Sequence, residues 1–245
     1  MSTKNRQQSR AERAATAIRE QEARERRRRG LVVGAVAGLL GLVVLVGVLV
    51  QGGRDTTGAA AAAPAGATGD YSLAIGDADA PHHVVVYEDF LCPFCGALEG
   101  ETREDLERLA ADGRVYVEYR PFDLLSRYGD YSARATNAFA AVLDVAGPRV
   151  AKDFHDLLFE QQPGESGPFP TDADLVDLAV EAGATEAEVR GPIEDGAFAQ
   201  WVQNATDAAS RAGVSGTPTV LVDGEQFTDG DTVEELADNL VAAVE

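Results

Sequence analysis

Residues 31–50 are twenty consecutive Leu, Val, Ala and Gly without a single charge. At about 1.5 Å per residue a helix of that length spans roughly 30 Å, the thickness of a bilayer's hydrocarbon core. Buried inside a globular body, such a helix would need protein on every side. The run therefore divides the chain, and the expectation is a single transmembrane helix over 31–50.

The charge pattern orients it. Residues 1–30 carry ten Lys and Arg against four Glu, a balance of +6, so the remainder must supply −26 of the net −20. Arg24 and Arg26 to Arg29 abut one end of the apolar run, whereas only Arg54 lies near the other. The positive-inside bias puts the N-terminus in the cytoplasm and the residues after 50 outside it. The basic arm mixes its cations with Glu and has no aromatic residue, which fits a lipid-facing arm and not a nucleic-acid-binding one. A cleaved signal peptide is the rival reading, with residues 59–63 as a place for cleavage. The apolar run, however, exceeds the ~7–15 residues usual for a signal core. Residues 51–70 are rich in Gly, Ala and Thr without apolar periodicity, and read as a flexible linker. The folded domain is then 71–245.

Within it, residues 71–75 suggest a short edge strand and 83–87 a buried one. A helix begins near Pro93, whose missing N–H costs nothing in a first turn, and stops at Asp112-Gly113. Residues 114–119 alternate as a second strand, completing a βαβ unit. From about 130 to 212 the pattern is helical, with one apolar stripe on Ala135, Phe139 and Leu143 and another on Phe154 and Leu158. Further stripes fall on Leu175 and Leu178, and on Phe198, Trp201 and Ala205. Strand character returns at 219–222, Asp223-Gly224 is a hairpin signal, and 231–244 is an amphipathic helix. The predicted order is βαβ, a helical block, then ββα.

Cys92 and Cys95 are the only cysteines, joined in Cys92-Pro93-Phe94-Cys95 between a strand and a helix. As half a zinc site they lack further thiols, with only His82, His83 and His155 available. As a structural disulfide they would close too small a loop to constrain much of the unfolded chain. As a redox dithiol they fit better: Cys92 would face the unpaired N–H groups of a helix N-terminus, which stabilise a thiolate, and Cys95 one turn later would resolve. His82 and His83 read as exposed edge residues, and His155 as a packing or surface group. A second signal is Gly216-Thr217-Pro218-Thr219 just before the returning strand.

These features together resemble the DsbA-like thiol–disulfide oxidoreductases of the thioredoxin superfamily over 71–245. The resemblance implies an α/β thioredoxin-like fold with a helical insertion at about 130–212. It implies Cys92 as nucleophile and Cys95 as resolving thiol, with Pro93 and Phe94 tuning the thiolate. Pro218 would be a cis proline against the disulfide, and Thr217 would offer its backbone to substrate. Two positions depart from the family. Phe94 stands where strongly oxidising relatives often have His. Val86 stands where many members have a buried acid, six residues before the first Cys. Glu88 and Asp89, nearer the motif, are candidates for a proton relay to Cys95, or are simply turn acids.

The expected function is oxidation of thiols in exported proteins by a Cys92–Cys95 disulfide. The domain would be extracytoplasmic on a single-pass anchor, with no metal and no cofactor. The resemblance implies a quinone-linked reoxidant of the DsbB or VKOR type. The alternatives are a membrane-fed reductase or isomerase, and a non-catalytic binding module on the same fold.

Overall fold

The computed structural model describes residues 60–245. The basic arm, the transmembrane helix expected at 31–50 and the linker up to residue 59 lie outside the described residues. Among the described residues no helix is long and apolar enough to cross a membrane.

The chain runs β1 (Leu73–Ile75), β2 (His82–Glu88), α1 (Pro93–Ala111), β3 (Val115–Pro121), a 3-10 turn (Ser126–Tyr128), α2 (Tyr131–Glu160), α3 (Asp172–Glu181), α4 (Glu186–Glu194), α5 (Ala199–Arg211), β4 (Thr219–Val222), β5 (Glu225–Phe227) and α6 (Val233–Val244). The sheet order is β1-β3-β2-β4-β5, with β2 and β3 parallel and the other pairs antiparallel. This is a thioredoxin-like sheet with α2 to α5 inserted between its halves.

Strand parity sorts the core. Val84 and Val86 of β2 share one face with Val115 and Val117 of β3, and pack against Leu98, Leu106 and Leu109 of α1 and Leu240 of α6. Each such leucine contributes about 1.5–3 kcal/mol by leaving water. Val85 and Tyr87 point to the opposite face, onto Phe122 and onto Ala205 and Ala209 of α5. The β4–β5 turn is carried by Asp223 and Gly224, both at positive φ (52° and 86°), as a tight hairpin of the required twist demands.

The insertion has its own core, and Cys92 and Cys95 belong to it, beside Phe90, Phe139, Phe154 and Leu158. The cysteines thus sit on the seam between sheet and insertion. The two apolar stripes predicted as separate helices are the two segments of α2, which meet at a kink where Gly147 takes the non-helical φ 82° and ψ 174° before Pro148. Helix α4 lies within the predicted helical block, although no stripe marked it; Pro192 inside it forgoes only the bond to the Glu188 carbonyl.

Ordered packing begins earlier than the linker reading placed it. Pro64 is buried, the Ala65 N–H donates to Asp144 Oδ1 (2.8 Å), and Gly66 lies against the Leu143 carbonyl, where a Cβ would come within 2.5 Å. Trp201, expected in the core, is 1% exposed and its Nε1–H reaches the Asp70 carbonyl at 2.8 Å.

Candidate active site

Cys92 is the N-cap of α1, extended at φ −75° and ψ 115°, with Pro93 opening the helix. Its carbonyl accepts the N–H of Cys95 (3.0 Å) and of Gly96 (3.2 Å), so the helix starts directly beneath its sulfur. Gln162, just beyond α2, donates from Nε2 to the carbonyls of Phe90 (2.9 Å) and Cys92 (3.0 Å), clamping the cysteine loop to the insertion. Its role was invisible in the sequence, being 70 residues from Cys92.

Both cysteines are free thiols. Cys92 is 5% exposed and Cys95 only 2%. As a thiol, Cys92 donates to the Thr217 carbonyl across 3.3 Å, which brings the two sequence signals into one site. The Thr217–Pro218 peptide bond is cis. Phe94 projects beside them, 61% exposed.

The two thiols are held apart in acidity. The Cys95 S–H hydrogen bond brings Cys92 down from about 9 to about 6, against burial, with help from the Thr217 side chain and the N–H groups of Cys95 and Phe94. Burial, then the hydrogen bond to Cys92, pushes Cys95 well above its ordinary value. Such a pair can present one thiolate to a partner and keep a second thiol in reserve.

The acids flanking the motif part company. Asp89, a relay candidate, is fully buried and serves as an anchor. Its Oδ1 accepts from Leu91 N (2.8 Å) and Ser132 Oγ (2.7 Å), and its Oδ2 from Leu124 N (2.8 Å) and Leu125 N (2.9 Å). With four donors on two oxygens, its lone pairs are committed to structure. Glu88 is 1% exposed and is no turn acid: its Oε1 meets His155 Nε2 at 2.7 Å. His155 is therefore neither a surface group nor simple packing; it is a fully buried member of a charged pair. His82 and His83 are partly exposed and contact Asp223 (3.1 Å) and Glu118 (2.9 Å) respectively.

The Glu88–His155 pair has a consequence for stability. Burial disfavours the imidazolium, but the Glu88 charge, then Glu99 and the Asp156 hydrogen bond, lift His155 from 6.5 to about 9. Burial also raises Glu88, with His155 partly offsetting it. Both shifts mean that the fold binds protons more tightly than the unfolded chain. The stability due to His155 is full below about 6.5 and lost as pH rises through about 9, on the order of 3 kcal/mol. With neither thiol titrating, the disulfide form should melt several degrees lower at pH 9.5 than at 6.5. His155→Gln should flatten that slope; an equal slope in the variant would refute the assignment.

The sequence model for thioredoxin matches residues 68–241. The chain belongs to the thioredoxin family. Within that family its body is DsbA-like. It is similar to the reduced disulfide bond oxidoreductase DsbG of Mycobacterium tuberculosis at 30% identity and a TM-score of 0.61, covering 71% of this chain and 85% of that one. Oxidised DsbA of the same organism aligns at 28% identity and a TM-score of 0.58, over 71% of this chain and all of that one. Among curated relatives, Disulfide bond formation protein D of Bacillus subtilis is 27% identical over 66% of this chain and 73% of its own length. The Na(+)/H(+) antiporter NhaA 1 of Salinispora arenicola is 31% identical over 169 residues, covering 69% of this chain but only 24% of the antiporter. The chain thus spans about a quarter of that relative, and likeness to it is confined to a module.

Proposed function

We propose that this thioredoxin-family chain is a protein thiol–disulfide oxidoreductase that oxidises paired thiols of exported proteins through a Cys92–Cys95 disulfide. Residues 31–50 would anchor it in the cell membrane, with the arm 1–30 cytoplasmic and the catalytic domain extracytoplasmic. A quinone-linked membrane protein of the DsbB or VKOR type would reoxidise it, and the anchor would raise the effective concentration of the two partners.

The observation that carries this reading is the divided acidity of the two thiols. A substrate thiolate attacks Cys92 Sγ, the Cys92–Cys95 bond breaks, and Cys95 leaves with the electron pair. The second substrate thiolate then attacks the substrate sulfur of the mixed disulfide and expels Cys92. A Cys92 thiolate held near 6 is a good leaving group and stabilises the reduced enzyme, which makes the disulfide oxidising. Thr217 offers its backbone beside the sulfur, and Phe94 an exposed apolar contact, for an extended substrate segment. The disulfide bond oxidoreductase and the disulfide bond formation protein named above support the same class of chemistry.

Equilibration with glutathione, read by alkylation, tests the direction. The expected potential is well above the ~−270 mV of thioredoxin. A value at or below that figure would favour a reductase. A pair that exchanges with no thiol would favour the binding module.

A further inference from the structure

Opening the Cys92–Cys95 disulfide leaves a thiolate on Cys95, which is 2% exposed and cannot take its proton directly from bulk water. Closing the disulfide requires the same proton to leave. Val86, at the position of the family's buried acid, can do neither. Two residues further along the strand, on the same sheet face by parity, stands Glu88, whose charge is felt at Cys95.

From Glu88 a continuous line of polar atoms leads outward. Glu88 Oε1 meets His155 Nε2 at 2.7 Å, and His155 Nδ1 meets Asp156 Oδ1 at 3.0 Å. Asp156 retains 14% side-chain exposure, so the line ends at solvent. It crosses from β2 in the sheet to α2 in the insertion.

The surroundings suit proton transfer. From α1, Glu99 Oε1 stands 3.6 Å from His155 Nδ1; it lies one turn past Cys95 on the same helix face. From α2, Lys152 Nζ lies 2.5 Å from Asp156 and 3.3 Å from Glu99, and from α1 Arg103 approaches Asp156 at 3.7 Å. Against burial, the hydrogen bond and charge of His155, then Lys152, keep Asp156 well below the usual carboxylate range, able to accept from Nδ1–H. From β3, the Tyr119 ring lies 4.7 Å from His155, tilted by 53°, and its buried hydroxyl has no hydrogen-bond partner among the described residues. Glu99, His155 and Asp156 also have metal-ligand spacing, but Lys152 already sits among them as the cation.

We infer that Glu88, His155 and Asp156 form a proton relay at the seam between sheet and insertion that supplies a proton to the buried Cys95 thiol and takes it back. The inference rests on the Cys92–Cys95 exchange proposed above. As the disulfide opens, Cys95 departs with the S–S electron pair and takes a proton from Glu88. The Nε2–H of the His155 imidazolium supplies that proton through the Glu88 carboxylate, leaving a neutral ring whose Nδ1–H stays on Asp156. As the disulfide closes, Cys95 attacks Cys92 Sγ of a mixed disulfide, the partner's thiolate leaves with the electron pair, and the Cys95 proton returns through Glu88 to Nε2, restoring the imidazolium. His155 acts here as a positioning residue, since it does not touch the sulfur.

The test follows reduction of the full-length disulfide form by dithiothreitol from pH 6 to 10, corrected for the reagent's own thiolate. The wild-type corrected rate should be flat and then fall near pH 9, where the path loses its proton. His155→Gln should be at least about tenfold slower at pH 7 and should lack the alkaline step. Glu88→Gln, nearly isosteric, should do the same and covers the case in which the first variant fails to fold. Iodoacetamide alkylation of Cys92 should keep its midpoint near 6 in both. Wild-type rates with the alkaline step intact would overturn the path. So would a slowing accompanied by a displaced Cys92 midpoint, which would mean a loosened site. A thioredoxin-like potential, in contrast, would sink the oxidising direction alone, because the proton balance at Cys95 holds both ways. A pair that forms no disulfide would remove both.

Discussion

Cys92→Ser should abolish thiol–disulfide exchange, and Cys95→Ala should convert the protein into a trap that accumulates mixed disulfides at Cys92. Cys92 alone presents a sulfur that is anionic at neutral pH. With its pKa near 6, roughly nine-tenths is thiolate at pH 7, against about 1% for a thiol at 9. A serine hydroxyl cannot ionise there, and Cys95 cannot substitute, being buried and raised. The Cys95 variant carries a sharper expectation. The largest cause of the low Cys92 value is the hydrogen bond from Cys95, so removing that S–H should move the alkylation midpoint of Cys92 upward. The Thr217 side chain and the helix N–H groups remain, so the midpoint should stay below 9. Alkylation rate against pH reads both. An unmoved midpoint would show that the helix terminus, not the partner thiol, sets the acidity.

How far this site could be read in advance depended on whether its signals were local. Period-two strands, the Pro93 helix start and the Asp223-Gly224 turn are decided by neighbours in sequence, and they placed βαβ and ββα correctly. The Thr217 to Cys92 meeting was legible through the family resemblance, although 125 residues separate the two. Glu88 to His155, 67 residues apart, and Gln162 to Cys92 had no such guide, because a buried polar pair leaves no periodic trace. One signal was available: Val86 and Glu88 share a sheet face, so an acid missing at the first position is naturally supplied at the second. His155, amid Phe154 and Leu158, looked apolar in context. A histidine on an apolar stripe reports burial but not its partner.

Asp89 carries the other large expected effect. Asp89→Ala should cost about 3–5 kcal/mol in denaturant unfolding, because three backbone N–H groups and the Ser132 hydroxyl lose a buried acceptor together. Those donors belong to three segments: the cysteine loop, the stretch leaving β3 and the first turn of α2. The carboxylate is thus the point at which sheet and insertion are fastened beside the active site. Asp89→Asn separates this role from proton transfer. Asparagine keeps the shape but turns an NH2 against N–H donors, so an anchor should lose a substantial part of the same stability. A proton carrier to Cys95 would show the opposite pattern, with stability nearly retained and the pH dependence of Cys95 exchange altered. The fully committed oxygens of Asp89 predict the first outcome, and leave Glu88, with His155 behind it, as the acid through which Cys95 exchanges its proton.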